Sequence, residues 1–175
     1  MNSLILKTAG CILIMFSTAG LGFFKAYTIK RRRKELMSLK SILTVLEGEI
    51  RYSGSDIKEA LTNAAKRHEG AMKAFISKVA EELNTSEGKS LINIWEEAEF
   101  LLKDGYFEKQ DYSVISELGK NLGMSDKTTQ INILEGFVER LGENISSIRE
   151  NEEQRCKAAR SIGIMSGILI IVLII

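Results

Sequence analysis

Proline is absent from all 175 residues of the sequence, and cysteine occurs only twice. Proline interrupts helices, so its absence favours long unbroken helices and argues against a turn-rich β fold. The two cysteines, Cys11 and Cys156, cannot form a disulfide framework, and no metal-binding pattern surrounds them. The low counts of both residue types therefore predict a helical protein without a disulfide scaffold.

Residues that carry catalysis are also scarce. His68 is the only histidine, and no nucleophile, base and orienting acid occur in a recognisable arrangement. The His68-Glu69 pair resembles the phosphoacceptor dipeptide of sensor kinases, but a histidine at a helix end before a glycine more often interacts with the helix dipole. Glycine-rich phosphate loops are absent, and Glu96, Glu97 and Glu99 are typical of a solvated helix face. The sequence thus predicts no enzyme, no metal site, no cofactor and no small-molecule substrate.

Charge is distributed unevenly, although the net charge is only +1. All 23 acidic residues lie between Glu35 and Glu153, together with 14 of the 24 basic residues, so this segment has a net charge of −9. A nucleic-acid-binding protein needs a basic face, and the acidic middle provides none. Nucleic acid is therefore not expected as a partner.

Both ends of the chain are apolar enough to enter a membrane. An N-terminal membrane helix is predicted over residues 1–24, because residues 4–24 carry a single charge, Lys7, and about 20 apolar residues cross a bilayer core. A cleaved signal peptide is the alternative, but no small-residue cleavage site precedes Lys25. Residues 162–175 predict a second membrane helix that covers only about 21 Å. Whether this shorter segment spans the bilayer fully stays open.

Two charged stalks are predicted beside these membrane helices, a basic one over residues 25–35 and a mixed one over residues 149–161. Short basic flanks remain in the cytoplasm, so the middle of the chain is predicted to be cytoplasmic and both termini to lie outside. The basic residues that set this topology are Lys25, Lys30, Arg31, Arg32, Arg33, Lys34, Arg155, Lys157 and Arg160. A cell-membrane protein with two spans is the expected result.

Two helix contacts are predicted from the spacing of charged and small residues. Residues 31–33 lie as far beyond the first span as Glu152 and Glu153 lie before the second, which predicts ion pairs between the stalks. Two independently solvated faces are the alternative. Gly163 and Gly167 form a G-x-x-x-G step, which lets another membrane helix approach closely.

Residues 36–148 are predicted to form a cytoplasmic, all-α, antiparallel bundle of about six helices. The first and last helices each carry an apolar seam with spacings of three and four, and both continue into the membrane segments. Four short helices are expected between them, over about residues 53–68, 71–83, 90–102 and 110–122. Ser125 is predicted to cap the last helix, with Asp126 in its first turn. The two seams are Leu36, Leu39, Leu43, Leu46 and Ile50, and Ile131, Leu134, Val138, Leu141, Ile145 and Ile148.

Two motifs of this bundle resemble those of a known family. They are Leu46-Glu47-Gly48-Glu49-Ile50-Arg51-Tyr52, and the run Leu118-Gly119-Lys120-Asn121-Leu122-Gly123-Met124-Ser125-Asp126 with Gln130. Together with the apolar ends, they are similar to the stage III sporulation protein AB family over essentially the whole chain. One departure is Ser55-Asp56-Ile57, where the family often has Thr-Pro-Leu, so a serine or aspartate cap replaces the proline.

The resemblance implies a subunit of the channel between mother cell and forespore, in the mother-cell membrane around the forespore. It also implies a bundle similar to the F-domains of type II secretion and type IV pilus platform proteins, which dock on a hexameric secretion ATPase. By that analogy the chain is a non-enzymatic platform or adaptor that couples the ATPase to other sporulation channel subunits. A membrane-tethered helical scaffold with no link to an ATPase is the alternative.

Motif position implies which residues contact a partner. They are Glu47, Glu49, Arg51, Tyr52, Asp126 and Gln130. A purely structural role, in which Asp126 only caps its helix and the glycines only end theirs, is the alternative.

Overall fold

The computed structural model describes residues 2–66, 68–86, 88–103, 106–122 and 126–174, without the side chains of residues 2–7 and 174. Within these ranges the chain forms six α-helices and no β-strand. The helices are α1 (Asn2–Gly48), α2 (Ile57–Lys66), α3 (Ala71–Thr85), α4 (Leu91–Ala98), α5 (Lys109–Leu122) and α6 (Lys127–Ile174). The predicted all-α fold with two long terminal helices is confirmed.

The chain folds into two compact units. Unit 1 comprises Met1–Arg31 and Ile148–Ile175, and unit 2 comprises Arg32–Ser147. The helices α2 to α5 belong wholly to unit 2, whereas α1 and α6 contribute residues to both units. Within unit 2, Arg51 contacts Glu135 and Lys40 lies against Gly142, so α1 and α6 pack there in antiparallel orientation.

The core of unit 2 follows the predicted seam of α1. All five seam residues of this helix are at most 2% exposed, and so is Ile42, which widens the buried face beyond the seam. Apolar residues of α3 at helical spacing are also fully buried; they are Met72, Phe75, Ile76 and Val79. Hydrophobic burial at helical spacing is the main stabilising contribution to such a bundle.

The seam of α6 differs from the prediction. Leu134 and Leu141 are buried, but Ile131 and Val138 are only half-buried, and Phe137 takes the buried position between the two leucines. Residues spaced by three and then four lie on one line along a helix with 3.6 residues per turn. The aromatic ring therefore supplies the contact that the smaller valine was predicted to make.

Trp95, the single tryptophan, lies at the centre of this core. Its indole packs edge-on against the ring of Phe75, with 4.8 Å between the ring centroids. The indole Nε1–H donates a hydrogen bond of 2.9 Å to the carbonyl oxygen of Ile115, which satisfies its one polar atom. Trp95 therefore joins α3, α4 and α5.

Two of the short helices, α2 and α4, begin at polar caps. The backbone oxygen of Asp56 accepts the N–H of Ala60, and its side chain accepts the N–H of Ile57, so Asp56 caps α2, where the sequence predicted a serine or aspartate cap. Ser90 accepts the N–H of Asn93 at the start of α4. α2 ends at Lys66, before the predicted His68, and α4 continues into a 3-10 turn, Glu99–Leu102.

Candidate functional site

One corner of unit 2 carries a charged and aromatic surface, formed by Glu47, Arg51, Tyr52 and Glu135, which we call the corner cluster. The Nη2 atom of Arg51 lies 2.5 Å from Oε1 of Glu135 on α6 and 2.9 Å from Oε1 of Glu47 one turn earlier on α1. The hydrogen bond to Glu135, together with both carboxylate charges, raises the pKa of Arg51 above its ordinary value. The guanidinium is therefore fixed in place, while the Tyr52 side chain beside it is 83% exposed.

A π-helical turn, Glu49–Ser53, follows α1 and shapes this corner. It keeps Ile50 buried in the core and leaves Tyr52 in solvent. The turn ends at Gly54, whose φ of 68° is left-handed and strongly favours glycine. π-helical turns occur often at functional sites. This departure from α-helical geometry therefore makes the corner cluster a candidate functional site.

The second motif runs from the end of α5 to the start of α6. Asp126 accepts hydrogen bonds from the N–H groups of Thr128 and Thr129, at 2.9 and 3.0 Å. Asp126 is therefore the N-cap of α6, and the prediction that it lies in the first turn is wrong by one residue. Ser125, the predicted cap, lies outside the described residues.

Other motif residues join α5 to its neighbours. The Nε2 atom of Gln130 donates a 3.1 Å hydrogen bond to the carbonyl of Leu122, which would otherwise be unpaired at the end of α5. Gly119 lies directly against the Trp95 ring, where an added Cβ would overlap Cδ1 and Cγ of the indole. Gly123, also in the motif, lies outside the described part of the chain.

The structure thus places the six predicted partner residues in different settings. Glu47, Arg51 and Tyr52 lie together in the corner cluster. Glu49 instead accepts a 3.4 Å hydrogen bond from Asn63 of α2, and Asp126 and Gln130 make the contacts described above. Their role toward a partner stays a prediction.

Sequence reasoning missed Glu135, because no local pattern links it to Arg51, 84 residues earlier.

Two charged residues of α1 are buried at the base of unit 2, although the sequence assigned them to the basic stalk. The guanidinium of Arg32 binds both carboxylate oxygens of Asp111 and lies 2.8 Å from Glu108. Burial lowers the pKa of Arg32, but the hydrogen bond and charge of Asp111 and the charge of Glu108 more than offset this and raise it. Arg32 therefore holds the start of α5.

The second buried charge, Glu35, holds the start of α3. Its Oε2 accepts the N–H of Met72 at 3.2 Å, and a carboxylate at a helix N-terminus is stabilised by the helix dipole. Gly70, with a φ of 93°, leaves the space for this carboxylate, since an added Cβ would lie 2.6 Å from Oε1 of Glu35. α1 thus supplies polar contacts to two other helices.

These contacts correct the predicted ion pairs between the stalks for Arg32 and for Glu153. Arg32 pairs with Asp111 instead of with the acidic cluster before the second span. Glu153 pairs with Lys157 one turn later on its own helix, at 2.7 Å. The pairing of Arg31 with Glu152 stays a prediction.

Small residues bring α1 and α6 into contact within unit 1. An added Cβ at Gly163 would lie 2.7 Å from the carbonyl oxygen of Thr18 and 2.9 Å from the Cα of Gly22, and Gly167 lies against the Thr18 side chain. The Cys156 thiol contacts the carbonyl of Ala26 at 3.5 Å. Sequence reasoning found the two glycines of α6 and missed their counterparts on α1.

Both long helices are long and apolar enough to cross a membrane. In their most apolar windows only 11% and 17% of residues are buried, so these stretches are not covered as the core helix of a water-soluble protein would be. Arg160 stacks over the ring of Phe23, with 5.4 Å from Cζ to the centroid.

Among the described residues, no group of three or more histidine, cysteine, aspartate or glutamate side chains could hold a metal ion. Burial lowers the pKa of His68, which favours the neutral ring and not the imidazolium that a helix dipole would stabilise. Burial and the charge of Glu96 raise the pKa of Glu99, so this residue is not simply part of a solvated face as predicted.

Comparison with known proteins gives one consistent result. Residues 7–175 match the family model described as stage III sporulation protein AB. A relative of that description from Bacillus subtilis (strain 168) is 23% identical over 176 residues, which cover 97% of this chain and 99% of the relative. A solved structure of the same description has a TM-score of 0.63 and 21% identity, over 71% of this chain and 98% of the solved chain, and it supports the helical fold.

Proposed function

Because the chain belongs to the stage III sporulation protein AB family, we propose that it is a non-enzymatic, membrane-anchored platform of a sporulation complex. In this role it couples a hexameric cytoplasmic secretion ATPase to other subunits of the channel between mother cell and forespore. The ATPase is inferred from the family resemblance, because that resemblance links the helical domain to secretion platform proteins. Partner binding is assigned to the corner cluster.

The observation that carries the proposal is the placement of the corner cluster on the two long helices. Arg51 lies in the π-helical turn that continues α1, and its partner Glu135 lies on α6. These two helices are also the ones that are long enough to cross a membrane. A partner bound at the corner cluster therefore contacts both of these helices. A catalytic step in this subunit is not required for that role.

The topology is part of the proposal, with both termini outside and unit 2 in the cytoplasm. It is tested by Asn2→Cys and Ser113→Cys, each labelled with a membrane-impermeant maleimide on intact cells. Ser113 is exposed on α5, so its labelling reports the location of unit 2. Labelling is expected at residue 2 and not at residue 113, and the opposite pattern would overturn the topology. The native chain is the control for Cys11 and Cys156.

Co-purification from sporulating cells tests the ATPase link. The full-length protein should recover a hexameric ATPase, and Tyr52→Ala or Arg51→Glu should abolish recovery while leaving the protein at its normal level in the membrane. Lys89→Ala is the matched control, because it breaks an exposed ion pair with Glu97 elsewhere in unit 2. Consistent absence of an ATPase from the wild-type preparation would contradict the coupling role and favour a membrane-tethered scaffold.

A further inference from the structure

A groove of about 470 Å³ lies between α1 and α6 within unit 1, and the proposed function does not use it. Leu21 and Ile162 form apolar sides of the groove, and both are 67% exposed. Gly22 and Gly163 line its bottom, where the two backbones meet with no side chain between them. The groove is therefore apolar and open to whatever surrounds the helix pair.

Two basic residues, Lys25 and Arg155, line the same groove. Lys25 lies three residues beyond Gly22 on α1. Arg155 lies eight residues before Gly163 on α6. Because the helices are antiparallel here, both basic residues lie on the same side of the glycine contact. Neither forms a salt bridge within the described ranges, and no acidic residue lines the groove, so one end of it carries two positive charges.

An anionic phospholipid has the chemistry that matches this arrangement. We propose that the groove binds one such lipid, with its phosphate at Lys25 and Arg155 and an acyl chain along Leu21 and Ile162. Basic residues at the cytoplasmic edge of membrane helices attract anionic headgroups, and hydrocarbon covers exposed apolar side chains. The inference rests on the proposed membrane insertion of α1 and α6 and not on coupling to an ATPase.

Neighbouring basic residues provide a matched control. Lys157 pairs with Glu153, and Lys30 is exposed outside the groove. Replacing Lys30 and Lys157 with glutamine removes two charges from the same two segments as replacing Lys25 and Arg155 with glutamine. Only the second double variant changes the groove.

The test uses the full-length protein in nanodiscs of phosphatidylcholine with a minor fraction of phosphatidylglycerol. Lipids that remain bound after transfer to mild detergent are counted by native mass spectrometry. The wild-type protein and the Lys30→Gln, Lys157→Gln control should each retain one phosphatidylglycerol per chain. The Lys25→Gln, Arg155→Gln variant should bind phosphatidylglycerol about thirtyfold more weakly and so retain correspondingly less, because two charge contacts to the headgroup are lost.

Equal retention in the two double variants, or equal retention of both lipid types by the wild type, would overturn the lipid site. Crosslinking of a photoreactive residue at position 21 to another protein in cells, and not to lipid, would also overturn the lipid site. Extraction of the membranes at high pH distinguishes failure of the lipid site from failure of the proposed function. A chain that leaves the membrane at high pH contradicts both proposals, whereas a chain that stays without lipid selectivity contradicts only this one.

Discussion

The guanidinium of Arg32 and the carboxylate of Asp111 form a bidentate ion pair, with 2.7 Å from Nε to Oδ2 and 3.0 Å from Nη2 to Oδ1. Their side chains are 8% and 0% exposed. Charges that are this buried have lost their hydration, so each one depends on the other. The pair ties the first turn of α5 to α1.

Removing one member of this pair should strongly destabilise the protein. Asp111→Ala leaves the buried Arg32 with only the half-exposed Glu108 as an ionic partner, which we expect to cost about 3–5 kcal/mol in the free energy of unfolding. Replacing both residues with apolar ones, as in Arg32→Met with Asp111→Leu, should restore most of that loss. Chemical unfolding followed by the fluorescence of Trp95 measures both values.

The exposed pair between Arg140 and Glu117 is the control for this comparison. Glu117→Ala should change the free energy of unfolding by about 0–1 kcal/mol, as for surface ion pairs. Similar losses for the two alanine variants would show that the Arg32 pair is not buried in solution.

Two glycines should respond to alanine in opposite directions. Gly119→Ala places a methyl group against the Trp95 ring, which is held by Phe75 and by its hydrogen bond, and should cost about 1–3 kcal/mol. Gly136 lies in α6 with open space around it, so Gly136→Ala should stabilise by up to about 1 kcal/mol through helix propensity. Thermal unfolding of the two variants measures the difference. A neutral Gly119→Ala would contradict the close packing of α5 on Trp95.

The single histidine should make stability depend on pH near neutrality. Because burial lowers the pKa of His68 below its ordinary 6.5, the unfolded chain binds the proton more readily than the folded one. The contribution of the neutral His68 side chain to the free energy of unfolding is therefore complete above pH 6.5. It is lost as the pH falls through the lower pKa of the folded protein. His68→Gln should flatten the stability profile in this window, as measured by unfolding at several pH values. An unchanged slope in that variant would assign the dependence to other groups.

The cap of α6 should be sensitive to acid. Hydrogen bonds from the backbone and side chain of Thr129, and from the backbone of Thr128, lower the pKa of Asp126 below its ordinary 3.8. The cap therefore stabilises above pH 3.8, and its contribution is lost as the pH falls through the folded pKa. Asp126→Ala should lower the melting temperature at neutral pH, and the gap to wild type should narrow in acid. Asp126→Asn keeps an acceptor oxygen, so its melting temperature at neutral pH should lie between those of the wild type and Asp126→Ala.

The apolar framework could be predicted from the sequence because burial follows the helical period. The leucines of α1 recur every three or four residues, and a helix places residues of that spacing on one face regardless of what packs against it. The motif also drew attention to Asp126 and Gln130, but as contacts to a partner, which stays a prediction. What the motif does, capping α6 and pairing the last carbonyl of α5, depends on a chain reversal that the spacing alone does not define.

The polar contacts of α1 could not be predicted. Arg32 lies in a basic run beside an apolar span, which indicates a solvated stalk, and its partner Asp111 is 79 residues away. The glycine contact in unit 1 was only half recognised. Thr18, Gly22 and Ala26 recur at every fourth position, and this spacing of small residues is the signal that could have identified the α1 side.

Glu35 also bears on the order in which the chain can fold. The ribosome releases the N-terminus first, so α1 is synthesised before the helices that it later contacts. Gly70 offers no side-chain hydrogen bond to the start of α3, and the carboxylate that serves there was made 37 residues earlier. Asp111 is likewise synthesised after its partner Arg32. The side chains of α1 that hold the starts of α3 and α5 are thus available before those helices are synthesised.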